Sequence, residues 1–155
     1  MRRSDREITD KSDLVNILEK GDVCHIALCD GDSPYLVTLN YGFEWQDNLK
    51  IYLHSAKEGR KIDIIKKNPK VCFSVDIGHE MVAGETECKW GMKYKSIVGT
   101  GIFEIIENNA DKITGLNTLM KHYTKKTEFK YEEKMLQATT ILRITVTEIT
   151  GKEKK

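Results

Sequence analysis

The sequence predicts a mainly β (α+β) fold, a six-stranded antiparallel barrel with flanking helices. Three observations lead there. Six β-prone segments are spread along the chain, most of them joined by turns of hairpin length rather than by crossover helices. Helical periodicity is confined to a few short stretches. The signatures of parallel nucleotide and hydrolase folds are also missing. Gly99-Thr-Gly101 lies inside a strand rather than after one, and neither G-x-x-x-x-G-K-[ST] nor G-x-S-x-G occurs.

The 155 residues read as one domain, 1–155, large enough for its own core. With 32% charged and 39% apolar residues the chain has the composition of a folded protein. A formal charge of +1 gives no global reason to expect nucleic acid or an anionic membrane as partner. No apolar run approaches the roughly 20 residues of a membrane span. The start, MRRSDREITD, lacks the apolar stretch of a secretory signal. The expectation is a cytoplasmic protein. Cys24, Cys29, Cys72 and Cys88 show no C-x-x-C spacing, and most of them read as buried small hydrophobes. On a strand, Cys24 and Cys29 would face opposite ways because their offset is odd. His79, Glu80 and Cys88 match no zinc-ligand pattern, so no metal is expected.

The first element is a short amphipathic helix, Asp10 to Lys20, with Leu14, Val15, Ile17 and Leu18 behind Asp10 or Ser12 as cap. Val23 to Cys29 is a strand containing His25, which reads as a core or interface histidine. Asp30-Gly31-Asp32-Ser33-Pro34 is turn chemistry, so Tyr35 to Phe43 should return antiparallel. After a turn at Trp45 to Asn48, Leu49 to Leu53 is the third strand. Asn68-Pro69 ends the following helix, and Lys70 to Val75 is the fourth strand. Asp76 to Gly91 reads as an irregular loop. Tyr94 to Ile106 is the fifth strand, bent or bulged near Gly99 and Gly101. Asp111 to Tyr123 is a helix with Ile113, Leu116, Leu119 and Met120 on its apolar face. Tyr131 to Leu136 is a short helical piece. Ala138 to Ile149 is the sixth strand, and Gly151 to Lys155 should fray.

Chemistry concentrates between Asn48 and Pro69, NLKIYLHSAKEGRKIDIIKKNP. A strand leads through His54, Ser55, Lys57, Arg60 and Lys61 into a helix whose buried side offers Ile62, Ile64 and Ile65. Helix starts have unpartnered N–H groups and the positive dipole end, so an anion fits there. Lys57, Arg60 and Lys61 crowd this end, where the dipole disfavours cations, and a phosphate would explain them. Ser55-Ala-Lys-Glu58 also matches a capping box, which would make the stretch an ordinary capped helix. From the residues alone both readings stand.

These segments, in this order, resemble the split-barrel flavoproteins related to pyridoxamine phosphate oxidase, and within them the nitroimidazole-resistance branch. MRRSDREIT, PYLVTLNYGF (Pro34–Phe43), YLHSAKEGRKIDIIKKNPKVCF (Tyr52–Phe73) and YKSIVGTGIFE (Tyr94–Glu104) carry the likeness. The resemblance implies a split barrel that holds FMN at a homodimer interface. It places Val37, Thr38, Leu39 and Asn40 along the isoalloxazine ring. His54, Ser55 and Ala56 stand near the ribityl chain and phosphate, with Arg60 and Lys61 gripping the phosphate. Tyr94 and Ser96 reach the flavin from the second subunit. Trp90 either covers the ring or anchors the core. The basic residues that hold the phosphate of pyridoxamine phosphate in the oxidases are not recognisable after Glu107. The expected activity is therefore reduction of nitro compounds or another small acceptor with electrons from a nicotinamide nucleotide. His54 is the one candidate proton donor. The alternatives are a non-catalytic flavin- or haem-binding protein, or a pyridoxamine 5'-phosphate oxidase.

Overall fold

The computed structural model describes residues 3–155, and its sheet is built hairpin by hairpin. The strands are β1 (Glu7–Ile8), β2 (Cys24–Asp30), β3 (Ser33–Leu39), β4 (Tyr41–Trp45), β5 (Leu49–Ala56), β6 (Lys70–Val82), β7 (Gly91–Ile106) and β8 (Thr139–Lys154). The helices are α1 (Lys11–Lys20), α2 (Arg60–Lys67), α3 (Asn109–Tyr123) and α4 (Glu133–Ala138). The strand order is β3-β2-β6-β7-β8-β5-β4, with β1 added beside β8, and every pairing is antiparallel. The two edges, β3 and β4, are consecutive in the chain, so the sheet curls into a barrel that is split between them.

Eight strands stand among the described residues where six are expected, and the class is unchanged. The segment Tyr35–Phe43 is two strands rather than one, because β3 pairs with β2 whereas β4 pairs with β5. Asn40 is the crossing point from one edge to the other. The eighth strand, β1, lies within the MRRSDREIT segment, whose Met1 and Arg2 are outside the described residues.

The expected loop at Asp76–Gly91 is mostly an arm of β6 and β7. Only residues 83–90 connect them, and the register slips between Ile77 and Glu80. Apolar alternation is weak here because beyond Ile77, which packs against the core, the β6 side of the arm is exposed, and the ladder of backbone hydrogen bonds holds it instead. The C-terminus does not fray. Ser96 pairs with Lys152 and Glu7 with the same residue, so polar side chains there ride on a strand flanked on both sides.

The core gathers Ile17, Leu18, Ile26, Leu53, Phe73, Val75, Ile97 and Leu142 from α1 and the inner sheet face. Asp10 caps α1, accepting from the Ser12 N–H and hydroxyl, each at 2.7 Å. α3 covers β4 and β5, but on a different face from the one expected. Lys112, Gly115 and Leu119 are inward and Ile113 is exposed. Gly115 decides the rotation, since a Cβ there would stand 2.8 Å from Ile141 and 3.2 Å from Tyr52. Of the cysteines only Cys24 is buried, where desolvation pushes its thiol up to about 12. Cys29, Cys72 and Cys88 are exposed, and Cys29 and Cys72 lie on an outer sheet face that nothing among the described residues covers. Trp90 is 51% exposed and anchors no core. No helix of the described residues is long and apolar enough to cross a membrane.

Candidate functional site

Alternation along β5 turns Leu53 and Ser55 inward and leaves His54 and Ala56 outward. His54, Ser55 and Ala56 pair with Ile141, Thr140 and Thr139 of β8, so they end the strand rather than begin a helix. The capping box is therefore absent. The helix starts later, behind Gly59, which takes a φ of +124° that strongly favours glycine. No side chain caps α2. Its N-terminus is held only by the chain itself, with the Gly59 carbonyl accepting from Ile62 at 2.9 Å and Asp63 at 3.2 Å.

The cations at this end have found other company. Lys61 Nζ donates to the buried Ser55 hydroxyl at 2.8 Å. Arg60 donates to the Asp30 carboxylate through Nε at 3.1 Å and Nη2 at 3.0 Å, and its guanidinium lies 4.7 Å from the Tyr35 ring centre. Arg60 thus ties α2 to the β2–β3 hairpin, and both Asp30 and Tyr35 belong to its setting. In the sequence Asp30 reads only as a turn residue, because a carboxylate thirty positions away leaves no local signal.

Val37 and Leu39 are half-buried on β3, while Thr38 is exposed on the outer face. β3 has no neighbour on its far side, so one row of its backbone groups is open beside the split. Asn40 Nδ2 donates to the Asp22 carbonyl at 3.4 Å. Thus hydrogen bonds tie Lys61 to Ser55 at the end of β5 and Arg60 to Asp30 of the β2–β3 hairpin, while Val37, Thr38, Leu39 and Asn40 lie along or just after the edge strand β3, and His54 and Ala56 face outward from β5.

Tyr94 and Ser96 are not brought there. They lie on β7, paired with Lys154 and Asp76 respectively. At ~3.3 Å per residue the register puts Ser96 about 23 Å and Tyr94 about 30 Å along the strand direction from the Asp30 end of the hairpin, with Ser96 level with Asn40 but three strands away. Lys152 sits over the Tyr94 ring at 5.6 Å, and its hydrogen bond holds the phenol below the usual tyrosine range.

One cluster on the outer face was not foreseen. His25 meets the Thr38 hydroxyl at 3.1 Å through Nδ1 and stands 3.8 Å from Asp76, which also holds His79 at 3.1 Å. His25 is accordingly a half-exposed side chain, not a core one. No group of three or more potential metal ligands occurs among the described residues.

A family model described as pyridoxamine 5'-phosphate oxidase matches residues 10–153. The chain belongs to that family. A candidate 5-nitroimidazole antibiotic resistance protein from Bacteroides thetaiotaomicron VPI-5482 is 31% identical to it, with a TM-score of 0.82 over 95% of this chain and 86% of that one. A FAD and heme binding protein from Mycobacterium smegmatis shares the fold at 17% identity, with a TM-score of 0.83 over 97% and 74% of the two chains. A FAD-binding protein from Mesorhizobium loti does so at 22% identity, with a TM-score of 0.67 over 97% and 98%. The match to an uncharacterized protein of Rhizobium meliloti, RA0666, is 26% identical and spans 63% of this chain but 55% of that one, about half its length. The split barrel is thus common to the family and to these solved structures.

Proposed function

We infer that this family member binds FMN in the cleft between β3, β5 and α2, works as a homodimer, and passes electrons from a nicotinamide nucleotide to a nitro compound or another small acceptor. The observation that carries the reading is the start of α2. It is uncapped by any side chain, yet Arg60, Lys61 and the Ser55 hydroxyl gather around it. These residues fit a phosphate, since N–H groups, a guanidinium, an ammonium and a hydroxyl are all donors. The open edge of β3 fits the ring, whose carbonyls and nitrogens need backbone partners. The resemblance to a nitroimidazole-resistance protein at 31% identity supports the acceptor class.

Within this reading Arg60 and Lys61 fix the phosphate, and Val37 to Asn40 orient the ring along the cleft. Bound flavin would supply the two-electron chemistry. Reduction of a nitro to a nitroso group takes two electrons and two protons and releases water, and His54, exposed at the cleft, is the side chain placed to give a proton. Tyr94 and Ser96 enter only from a second copy, because one chain keeps them far from Arg60. Two exposed apolar regions support that second copy. Leu36, Val98 and Ile102 lie on the outer sheet face, and Met81, Val82, Trp90 and Met92 on the β6–β7 arm.

The test begins with the absorbance spectrum of the purified protein, where flavin bands and a Soret band are distinct. Anaerobic NADH or NADPH should then bleach the flavin, and a nitroaromatic should restore it. Bleaching by dithionite alone would replace the enzyme with a carrier. A Soret band would favour haem, the reading that the Mycobacterium smegmatis relative suggests.

A further inference from the structure

Where α2, the end of β7, α3 and the start of β8 meet, a hollow of about 300 Å³ opens among Lys57, Lys66, Lys112, Glu107 and Thr140. Ile62 and Ile105 complete its wall. Lys112 is the anomaly, for it is only 4% exposed. A surface lysine normally buries its stem and keeps its ammonium in water, which this exposure does not allow. The ammonium has one weak protein partner, the Leu136 carbonyl at 3.4 Å, for three donors. Among the described residues neither Lys112, Lys57 nor Lys66 joins an ion pair, and the one carboxylate in the wall, Glu107, stands beyond ion-pair distance of them.

A buried, unpaired ammonium is costly, and its place in the first turn of α3 adds to the cost because the helix dipole is positive there. At that spacing, three before Gly115 and seven before Leu119, an apolar residue would complete the buried stripe. The charge is explained by what it faces. Three lysines around one small hollow form a set of donors short of an acceptor, beside the Thr140 hydroxyl, which donates to the Ile106 carbonyl at 3.4 Å. Thr140 is also cross-strand to Ser55, which Lys61 holds, so the hollow lies one side chain from the cleft.

We propose that this hollow is an oxyanion site centred on Lys112, with room for a phosphate group. The group is a free phosphate, separate from the FMN phosphate that Arg60 and Lys61 would hold.

Thermal unfolding of the full chain, saturated with riboflavin, in inorganic phosphate against chloride of equal ionic strength tests it. Wild type should show a saturable, phosphate-specific rise in Tm, as expected for a ligand that binds the folded state. Lys112→Met should lose the rise and be at least as stable as wild type in chloride. If Lys112→Met does not fold, the exposed pair Lys57→Ala and Lys66→Ala provides a second arm, with phosphate weakened about 10-fold. Saturation with FMN in place of riboflavin should leave the phosphate response unchanged, and its loss would overturn a site separate from the flavin's own phosphate. No phosphate-specific rise in the riboflavin-loaded wild type overturns the site. So does an equal rise in Lys112→Met, or unchanged phosphate affinity in the double variant. A protein that binds no flavin still answers the phosphate arm, so the two readings fail separately.

Discussion

Arg60 carries two duties that a single substitution can separate. Its fork is engaged by Asp30 and stacked near Tyr35, leaving Nη1 as the guanidinium donor not directed at Asp30. A phosphate at the start of α2 would take that donor together with Lys61. One charge-assisted bond contributes about 1.5–3 kcal/mol, so Arg60→Ala should weaken FMN roughly 10- to 150-fold. Riboflavin, without the phosphate, should bind weakly to wild type and be nearly indifferent to the change. Titrating both ligands against both proteins reads this directly, and equal losses for the two ligands would remove Arg60 from the phosphate. The ion pair with Asp30 is exposed, with 60% of the Arg60 side chain accessible, so its loss should cost little stability. A weakened FMN with an unchanged unfolding midpoint is therefore the expected pattern.

Packing of α3 across the barrel depends on one small residue at the scale of the element. Gly42 of β4 lies directly under the helix, and a Cβ there would stand 2.4 Å from the Thr118 carbonyl oxygen and 2.5 Å from the Leu119 Cα. Both are backbone atoms, which cannot swing aside as a side chain tip can. Gly42→Ala should therefore lift α3 off the sheet and destabilise the protein by about 1–3 kcal/mol. Urea unfolding checks this, and a stability within error of wild type would mean that the helix can shift freely. The same element shows how far periodicity reaches. Spacing alone identified the helix, but Gly115 rotates it so that Lys112 rather than Ile113 turns inward. A glycine counts as neither apolar nor polar in such a pattern, so the face it opens for a neighbour is invisible until that neighbour is known.

For the whole molecule, the outer sheet face and the β6–β7 arm decide the expected assembly. The segment Val71–Val75 gives no reason for a partner, because Val71, Phe73 and Val75 are already buried in this chain's own core. The reason lies instead in Leu36, Val98 and Ile102, at 64%, 46% and 43% exposure, and in an arm whose tip carries Trp90 and Met81. Light scattering at micromolar concentration should give twice the 17.8 kDa of one chain. A monomer with flavin bound would leave Tyr94 and Ser96 outside the site and remove them from the cofactor assignment. Trp90 fluorescence adds a check, since dilution to monomer should shift it toward the emission of an exposed indole.

The sequence by itself determined the local elements: turns within Asp30–Pro34 and Trp45–Asn48, a helix after Asp10 or Ser12 whose cap the structure gives to Asp10, the Asn68-Pro69 stop, and strands with a buried row. Each depends on residues within a few positions of one another, so composition and spacing suffice. The resemblance carried by HSAKEGRK and its flanks reached the family as well. Only the tertiary structure decided that Ser55 ends a strand and holds Lys61, that Arg60 is shared with Asp30, and that Asn40 divides one apparent strand between two edges. It also decided that Lys112 is buried without a counter-charge. In each case the deciding partner is remote along the chain, and which remote groups meet is set by how the sheet closes, a property that no window of local sequence contains.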